Sequence, residues 1–323
     1  MLIMGFGAAR GRKTLTFLFG VLMKKLLSLL LAVCFMLSCT AALAEDVQLV
    51  ASFYPVYIFA RNILQDVPGV SLSCMTTPST GCLHDYQLLA GDMLKLSHAD
   101  ALLINGAGME PFLHDVEHQL PELAIVDASV GIPLLCSDVH HEHEHDHDHD
   151  HGEYNAHIWL SPENAIQMVQ NMADQLAQLF PQHADTIHAN AESYIIRLEN
   201  AHTQASALLS PVKGKHIVTF HDSFAYFAHA YDLEIAAVVS LEPNDPLSPK
   251  MLMDVVHTVE HTGNPPLFAE PQYRSTALSV ISWETGAPVF TLDPMVTGDG
   301  SLTAYEDTLL QNAKTLLDAF QTP

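Results

Sequence analysis

A two-lobed α/β fold is predicted by this 323-residue sequence, and three observations carry it. Short apolar runs alternate with helical patterns from Val47 onward, and the same alternation resumes after residue 210. Between the two series, from Pro181 to Leu209, no further Pro and no Gly interrupts the chain, which allows one helix of about 30 residues, well above the usual length. Strands alternating with helices imply mostly parallel sheets covered on both faces. The chain is long enough for two lobes that each bury a core.

In order, Val47–Phe53 reads as a strand and Tyr57–Gln65 as an amphipathic segment. Val70–Met75 is a second strand, Gly91–Ala99 a short helix and Ala101–Asn105 a third strand. No apolar residue stands between His140 and His151, so 138–152 cannot join a core and reads as a loop. Ser161-Pro162-Glu163 is a helix start, with Ser as N-cap and Pro at the first helical position, and that helix runs to about Phe180. Strands follow at His216–Phe220, Ile235–Ser240, Pro266–Ala269 and Pro288–Leu292, and Tyr305–Phe320 is the last helix. The expected organisation is therefore a first lobe over 45–180 carrying the 138–152 loop, a linking helix over 181–210, and a second lobe over 211–323.

Ahead of the first lobe, Lys24 and Lys25 precede an apolar run from Leu26 to Leu37, and Ala42-Leu43-Ala44 follows as a small-x-small cleavage site. The run falls short of the roughly 20 residues a spanning helix needs. Residues 1–44 read as a secretory signal peptide, with Met23 as its natural start and 1–22 upstream of it. Cys39 offers a lipid-attachment point as the alternative to cleavage after Ala44. Export places the protein outside the cytoplasm, periplasmic or otherwise extracytoplasmic.

Cleavage removes five basic residues (Arg10, Arg12, Lys13, Lys24, Lys25) and no acid, taking the formal charge from −24 to −29. So acidic a surface excludes nucleic acid, whose binding neutralises phosphates with Lys and Arg, and favours cations. Cys74, Cys82 and Cys136 remain. An oxidising compartment permits disulfides, and because Cys74 and Cys82 flank the turn-rich stretch Thr76–Gly81, a bridge between them is expected.

The loop itself carries chemistry. His140, His141, His143, His145, His147, His149 and His151 are interleaved with Glu142, Glu144, Asp146, Asp148 and Asp150. Imidazole is a preferred ligand of zinc, copper and nickel, and the carboxylates concentrate cations beside it. The register is wrong for the HxHxDH pattern of some zinc hydrolases: from His141 onward histidines hold odd positions and acids even ones, so no catalytic role is expected.

Three solitary histidines stand at predicted element ends, where open α/β sheets place ligands. His84 lies in Gly81-Cys82-Leu83-His84-Asp85-Tyr86, His157 in Asn155-Ala156-His157-Ile158-Trp159-Leu160-Ser161-Pro162, and His221 in His221-Asp222-Ser223-Phe224. With Ser52-Phe53-Tyr54-Pro55, Asn105-Gly106-Ala107-Gly108-Met109-Glu110, Phe268-Ala269-Glu270-Pro271-Gln272 and Leu292-Asp293-Pro294, these segments resemble, in order and over nearly all of the exported chain, the zinc- and manganese-specific solute-binding proteins of ABC importers, the ZnuA/AdcA/TroA-like group. His157-Ile158-Trp159-Leu160 is similar to that group's HIWLDP motif, with Ser161 in place of Asp. Cys82 and Leu83 depart from the usual polar residue and Pro before the first ligand.

The resemblance implies His84, His157 and His221 as ligands, Asp293 as the fourth, and Glu270 as the lower-ranked carboxylate in the neighbouring shell. It implies Zn(II) rather than manganese, since the third position is His221 where manganese-binding relatives carry a carboxylate, and manganese prefers oxygen donors. It also implies a monomer that captures the ion between the lobes and docks on a membrane permease, with the histidine tract as an auxiliary collector.

Overall fold

Two parallel sheets of the same topology make up the chain, described here in a computed structural model over residues 47–77, 83, 86–136, 154–239, 248–272 and 276–321, with Met23, Lys25 and Ser28. The rest of the signal segment with Cys39, Cys82, His84 and the 138–152 tract lie outside the described residues. Residues 47–323 form one unit.

The first sheet takes β1 (Val47–Ala51), β2 (Val70–Cys74), β3 (Ala101–Ile104) and β4 (Ala124–Asp127) in the order β2-β1-β3-β4, with every pair parallel. β3 reads Ala-Leu-Leu-Ile and is buried at every position, as a central strand covered on both faces must be. Helices α1 (Tyr54–Ile63), α2 (Ala90–Leu96) and α3 (Leu113–Gln119) connect these strands. α4 (Pro162–Leu179) starts where Pro162 presets the first turn, and the Ser161 hydroxyl accepts the Asn164 N–H at 3.4 Å.

The long helix α5 (Ala184–Leu209) runs 26 residues. It buries Ile187, Ala191, Tyr194, Leu198, Ala201, Ala205 and Leu209, a stripe spaced by three and four residues, so one face is apolar along its whole length. It does not begin at Pro181 as expected. Pro181–His183 form a separate 3-10 turn, and His183, at φ −114° and ψ 1°, interrupts helical geometry before Ala184.

The second sheet takes β5 (His216–Thr219), β6 (Glu234–Val238), β7 (Leu267–Ala269) and β8 (Val289–Thr291) in the order β6-β5-β7-β8, again parallel throughout. Its helices are α6 (Ala225–Ala230), α7 (Pro249–His261) and α8 (Thr276–Thr285). The last helix, α9 (Ala304–Gln321), returns to pack on α5 and α1. Residues of both sheets, with α4, α5, α6 and α9, share one continuous apolar core, while Val255, Val259, Leu278 and Ile281 of α7 and α8 close a separate core on the outer side of the second sheet.

Six of the seven anticipated strands end one or two residues earlier than the sequence suggested, and Ser52, Asn105 and Phe220 stand beyond them in loops. β4 and α3 were not anticipated; α3 buries only Val116, so no apolar stripe marks it in the sequence. Cys74 is a free thiol whose sulfur lies 3.7 Å from the Thr76 hydroxyl, which corrects the bridge expected with Cys82: the thiol is half-buried at the end of β2 and takes its polar contact from its own turn. Among the described residues, no helix is long and apolar enough to cross a membrane.

Candidate metal centre

In both sheets the chain reverses its winding direction between the first and third strands, and ligands of open α/β sheets lie beyond the carboxyl ends at that crevice. In the second sheet His221 follows β5 by two residues and Glu270 follows β7 directly. The Phe220 N–H donates to the Phe268 carbonyl at 2.9 Å, which aligns the two strand ends. His221 Nδ1 then lies 3.3 Å from Glu270 Oε1, with both side chains only 1% exposed. The Ser223 hydroxyl donates to that same oxygen at 2.6 Å, fixing the carboxylate.

In the first sheet the corresponding crevice holds a carboxylate of different use. Glu110, fully buried, accepts the Ser52 hydroxyl at 2.8 Å, the Asn105 N–H at 2.8 Å and the Gly106 N–H at 3.1 Å. Burial pushes its carboxyl up to about 7, against the pull of those three donors. With its backbone held in this way, Asn105 donates through its side-chain amide to the Ala156 carbonyl at 3.0 Å, tying the end of β3 to the residue before His157.

His157 is oriented by Asn155. The Asn155 Oδ1 accepts the His157 backbone N–H at 3.0 Å, so it is an acceptor, and His157 Nδ1 at 3.0 Å from it therefore carries the proton. The Asn155 amide nitrogen donates to the Asp222 carbonyl at 2.8 Å, reaching the residue after His221. His157 thus carries its proton on Nδ1, and His221 Nδ1 lies within ion-pair distance of the Glu270 carboxylate; an oxygen partner at the non-ligating nitrogen is what metal-ligating histidines use. The rings meet edge to face with centroids 5.0 Å apart.

Trp159 secures the crossing between the lobes. Its indole N–H donates to the Pro294 carbonyl at 2.8 Å, its carbonyl accepts the Tyr305 hydroxyl at 2.8 Å, and its ring meets Phe53 at 5.1 Å. Asp293 is held by its own loop: its carboxylate accepts the Met295 N–H at 2.8 Å, and its N–H donates to Asn312 Oδ1 at 2.9 Å. Burial raises the Asp293 carboxyl above its ordinary range and the Glu270 charge adds to the rise, while the Met295 N–H opposes it.

The sequence-predicted residues therefore fall as follows. His157, His221 and Glu270 are drawn together, and Asp293 is within the electrostatic reach of Glu270. His84 and the tract histidines lie outside the described residues, and among the described residues no group of three or more His, Cys, Asp or Glu is placed to hold an ion. The tract has a defined base, however. Cys136 and Tyr154 pair as an antiparallel bridge, and the Asn155 N–H donates to the Leu135 carbonyl at 2.9 Å, directly beside the turn that carries His157. Asn155, Ser223 and Glu110 hold this arrangement through hydrogen bonds, and residue type alone did not single them out. The only sequence signal was their place inside the motif segments.

The model of the family described as zinc-uptake complex component A, periplasmic (ZnuA), matches residues 49–319. This chain belongs to that family. The high-affinity zinc uptake system protein ZnuA of Yersinia pestis is 32% identical over 268 residues, covering 77% of this chain and 83% of that protein. The zinc-binding protein AdcA of Streptococcus pyogenes serotype M3 is 30% identical over 269 residues, 78% of this chain and 51% of that protein, so this chain spans about half the length of the AdcA relatives it matches. A crystal structure of ZnuA superposes with a TM-score of 0.72 at 25% identity, covering 85% of this chain and 99% of that one. The shared ZnuA-family fold accounts for the twin sheets and the long helix.

Proposed function

We propose that this chain is the extracytoplasmic zinc-binding subunit of an ABC importer, capturing Zn(II) between the lobes and delivering it to a membrane permease. The lobes are 45–180 and 211–323, linked through 181–210, with a signal peptide over 1–44. The observation that carries the reading is the meeting of His157 and His221 from opposite lobes, with His157 Nδ1 bonded to Asn155 and His221 Nδ1 facing the Glu270 carboxylate. His84 supplies the third imidazole. Asp293 supplies the fourth, oxygen donor, and Glu270 orients His221. Three neutral imidazoles suit zinc, and the closing shell releases protons as it forms. The family membership and the names of the Yersinia and Streptococcus relatives support zinc as cargo.

The long helix and the core shared between the lobes oppose wide hinge motion, so loading proceeds by small shifts of the strand-end loops. The 138–152 tract hangs from the Cys136–Tyr154 bridge beside His157 and acts as a low-affinity collector. Replacing His157 with Ala is expected to weaken zinc binding at a site of one-to-one stoichiometry, measured by calorimetry. Unchanged affinity would remove His157 from the site.

A further inference from the structure

Outside the crevice and the tract, one pair of histidines is built for metal. On α7, Val255 and Val259 face the outer core of the second sheet, which leaves His257 and His261 on the exposed side of the helix. They are four residues apart, the spacing at which side chains on successive turns are neighbours. Their rings stack with centroids 3.8 Å apart and planes 26° from parallel.

His261 Nδ1 lies 2.8 Å from the His257 carbonyl oxygen. A carbonyl only accepts, so Nδ1 carries the proton and Nε2 keeps its lone pair. A backbone carbonyl on the non-ligating nitrogen is one of the partners that ligating histidines use. Two imidazole nitrogens bound to one tetrahedral zinc lie about 3.4 Å apart, as follows from Zn–N bonds of about 2.0–2.1 Å. The ring centroids of two such ligands lie about 5 Å apart, so rings stacked at 3.8 Å must splay open by more than about 1 Å, a rotamer adjustment open to two exposed side chains.

We propose that His257 and His261 form a bidentate surface site on the second lobe for a borderline divalent cation of the zinc, copper and nickel class, with water completing the shell. Imidazole donors select that class. Asp254 and Glu260, exposed on the same helix, add to the field of a chain whose formal charge is −24, which raises the local cation concentration. His98 is an internal contrast: its Nδ1 lies 2.8 Å from the Leu94 carbonyl, but no histidine stands four residues to either side. His114 and His118 on α3 are exposed at the same spacing as the α7 pair, and spacing is the whole of their case.

The site can be read one residue at a time in the full chain, by carbethoxylation of histidines followed by mass spectrometry during a titration with Zn(II). Zinc is expected to protect His257 and His261 together, at one common concentration, while His98 stays reactive. H257Q should abolish zinc protection of His261, and H261Q that of His257, while H114Q changes neither. Both rings are exposed, so each variant should keep the parent melting temperature. Protection of His261 at an unchanged zinc concentration in H257Q would overturn the proposal. So would continued reactivity of both rings at saturating zinc.

Discussion

Glu270 separates a carboxylate that orients an imidazole from one that binds the ion itself. In the structure its Oε1 serves two partners, His221 Nδ1 at 3.3 Å and the Ser223 hydroxyl at 2.6 Å, in a site closed to solvent. Glu270→Gln keeps an amide oxygen able to accept both, and removes the negative charge that makes His221 a stronger donor to the ion. Glu270→Ala removes the acceptor as well, leaving the Ser223 hydroxyl buried without its partner. Loss of such an outer partner weakens metal binding by about 10–100-fold, which is about 1.4–2.7 kcal/mol. Gln should fall at the low end of that range and Ala at the high end. Competition against a chromophoric chelator at fixed pH measures the change, and thermal melts of the metal-free proteins control for folding. Equal affinities in all three proteins would refute the orienting role. A loss beyond about 1,000-fold in both variants, about 4 kcal/mol, would also refute it and make Glu270 a ligand.

Deleting 138–152 should remove weak zinc equivalents and spare the tight one, because the antiparallel bridge at Cys136 and Tyr154 already holds the two ends of the loop together; equilibrium dialysis counts the equivalents. Glu110 imposes a pH dependence on stability. Its carboxyl rises from 4.5 to about 7 on folding, so between those values the folded chain keeps a proton that the unfolded chain has lost. Stability from this group is full below pH 4.5 and falls by about 3 kcal/mol as pH rises to about 7, then stays level. Glu110→Gln should flatten that slope, at a cost of about 1–3 kcal/mol for the donor left facing an amide NH2. Urea melts at several pH values test this, and parallel profiles for parent and variant would contradict it. Leu198→Ala, at a fully buried position midway along α5, should cost about 2–5 kcal/mol by opening a cavity, read as a lower melting point with zinc affinity of the folded protein unchanged.

Much of this protein was legible in its residues. The alternation of apolar runs marked seven of the eight strands, because each strand is a local pattern of residues that recurs every few positions. The Gly- and Pro-free run predicted α5, and Ser161-Pro162 marked the start of α4 through chemistry contained within a single turn. His157 and His221 stood out for a similar reason, since each follows or precedes an element whose ends composition reveals. α3 escaped because Val116 is its one buried residue, which leaves no apolar stripe to read, and β4 was missed with it.

What only the tertiary structure decided is who stands next to whom. Ranking Asp293 above Glu270 from the sequence said nothing of their geometry. The parallel pairing of β5 with β7 brings Glu270 to His221, 49 positions earlier in the chain, while the Asp293 carboxylate accepts a bond from Met295 of its own loop. The same holds for the Asn105 amide that steadies the turn before His157, and for the indole of Trp159 bonded to Pro294. A side chain's type is written in one residue, and so the sequence by itself determined that this chain has an α/β fold and the donors for a cation. The position of a hydrogen or a lone pair depends on a neighbour supplied by another strand, and that neighbour is present only once both sheets have formed.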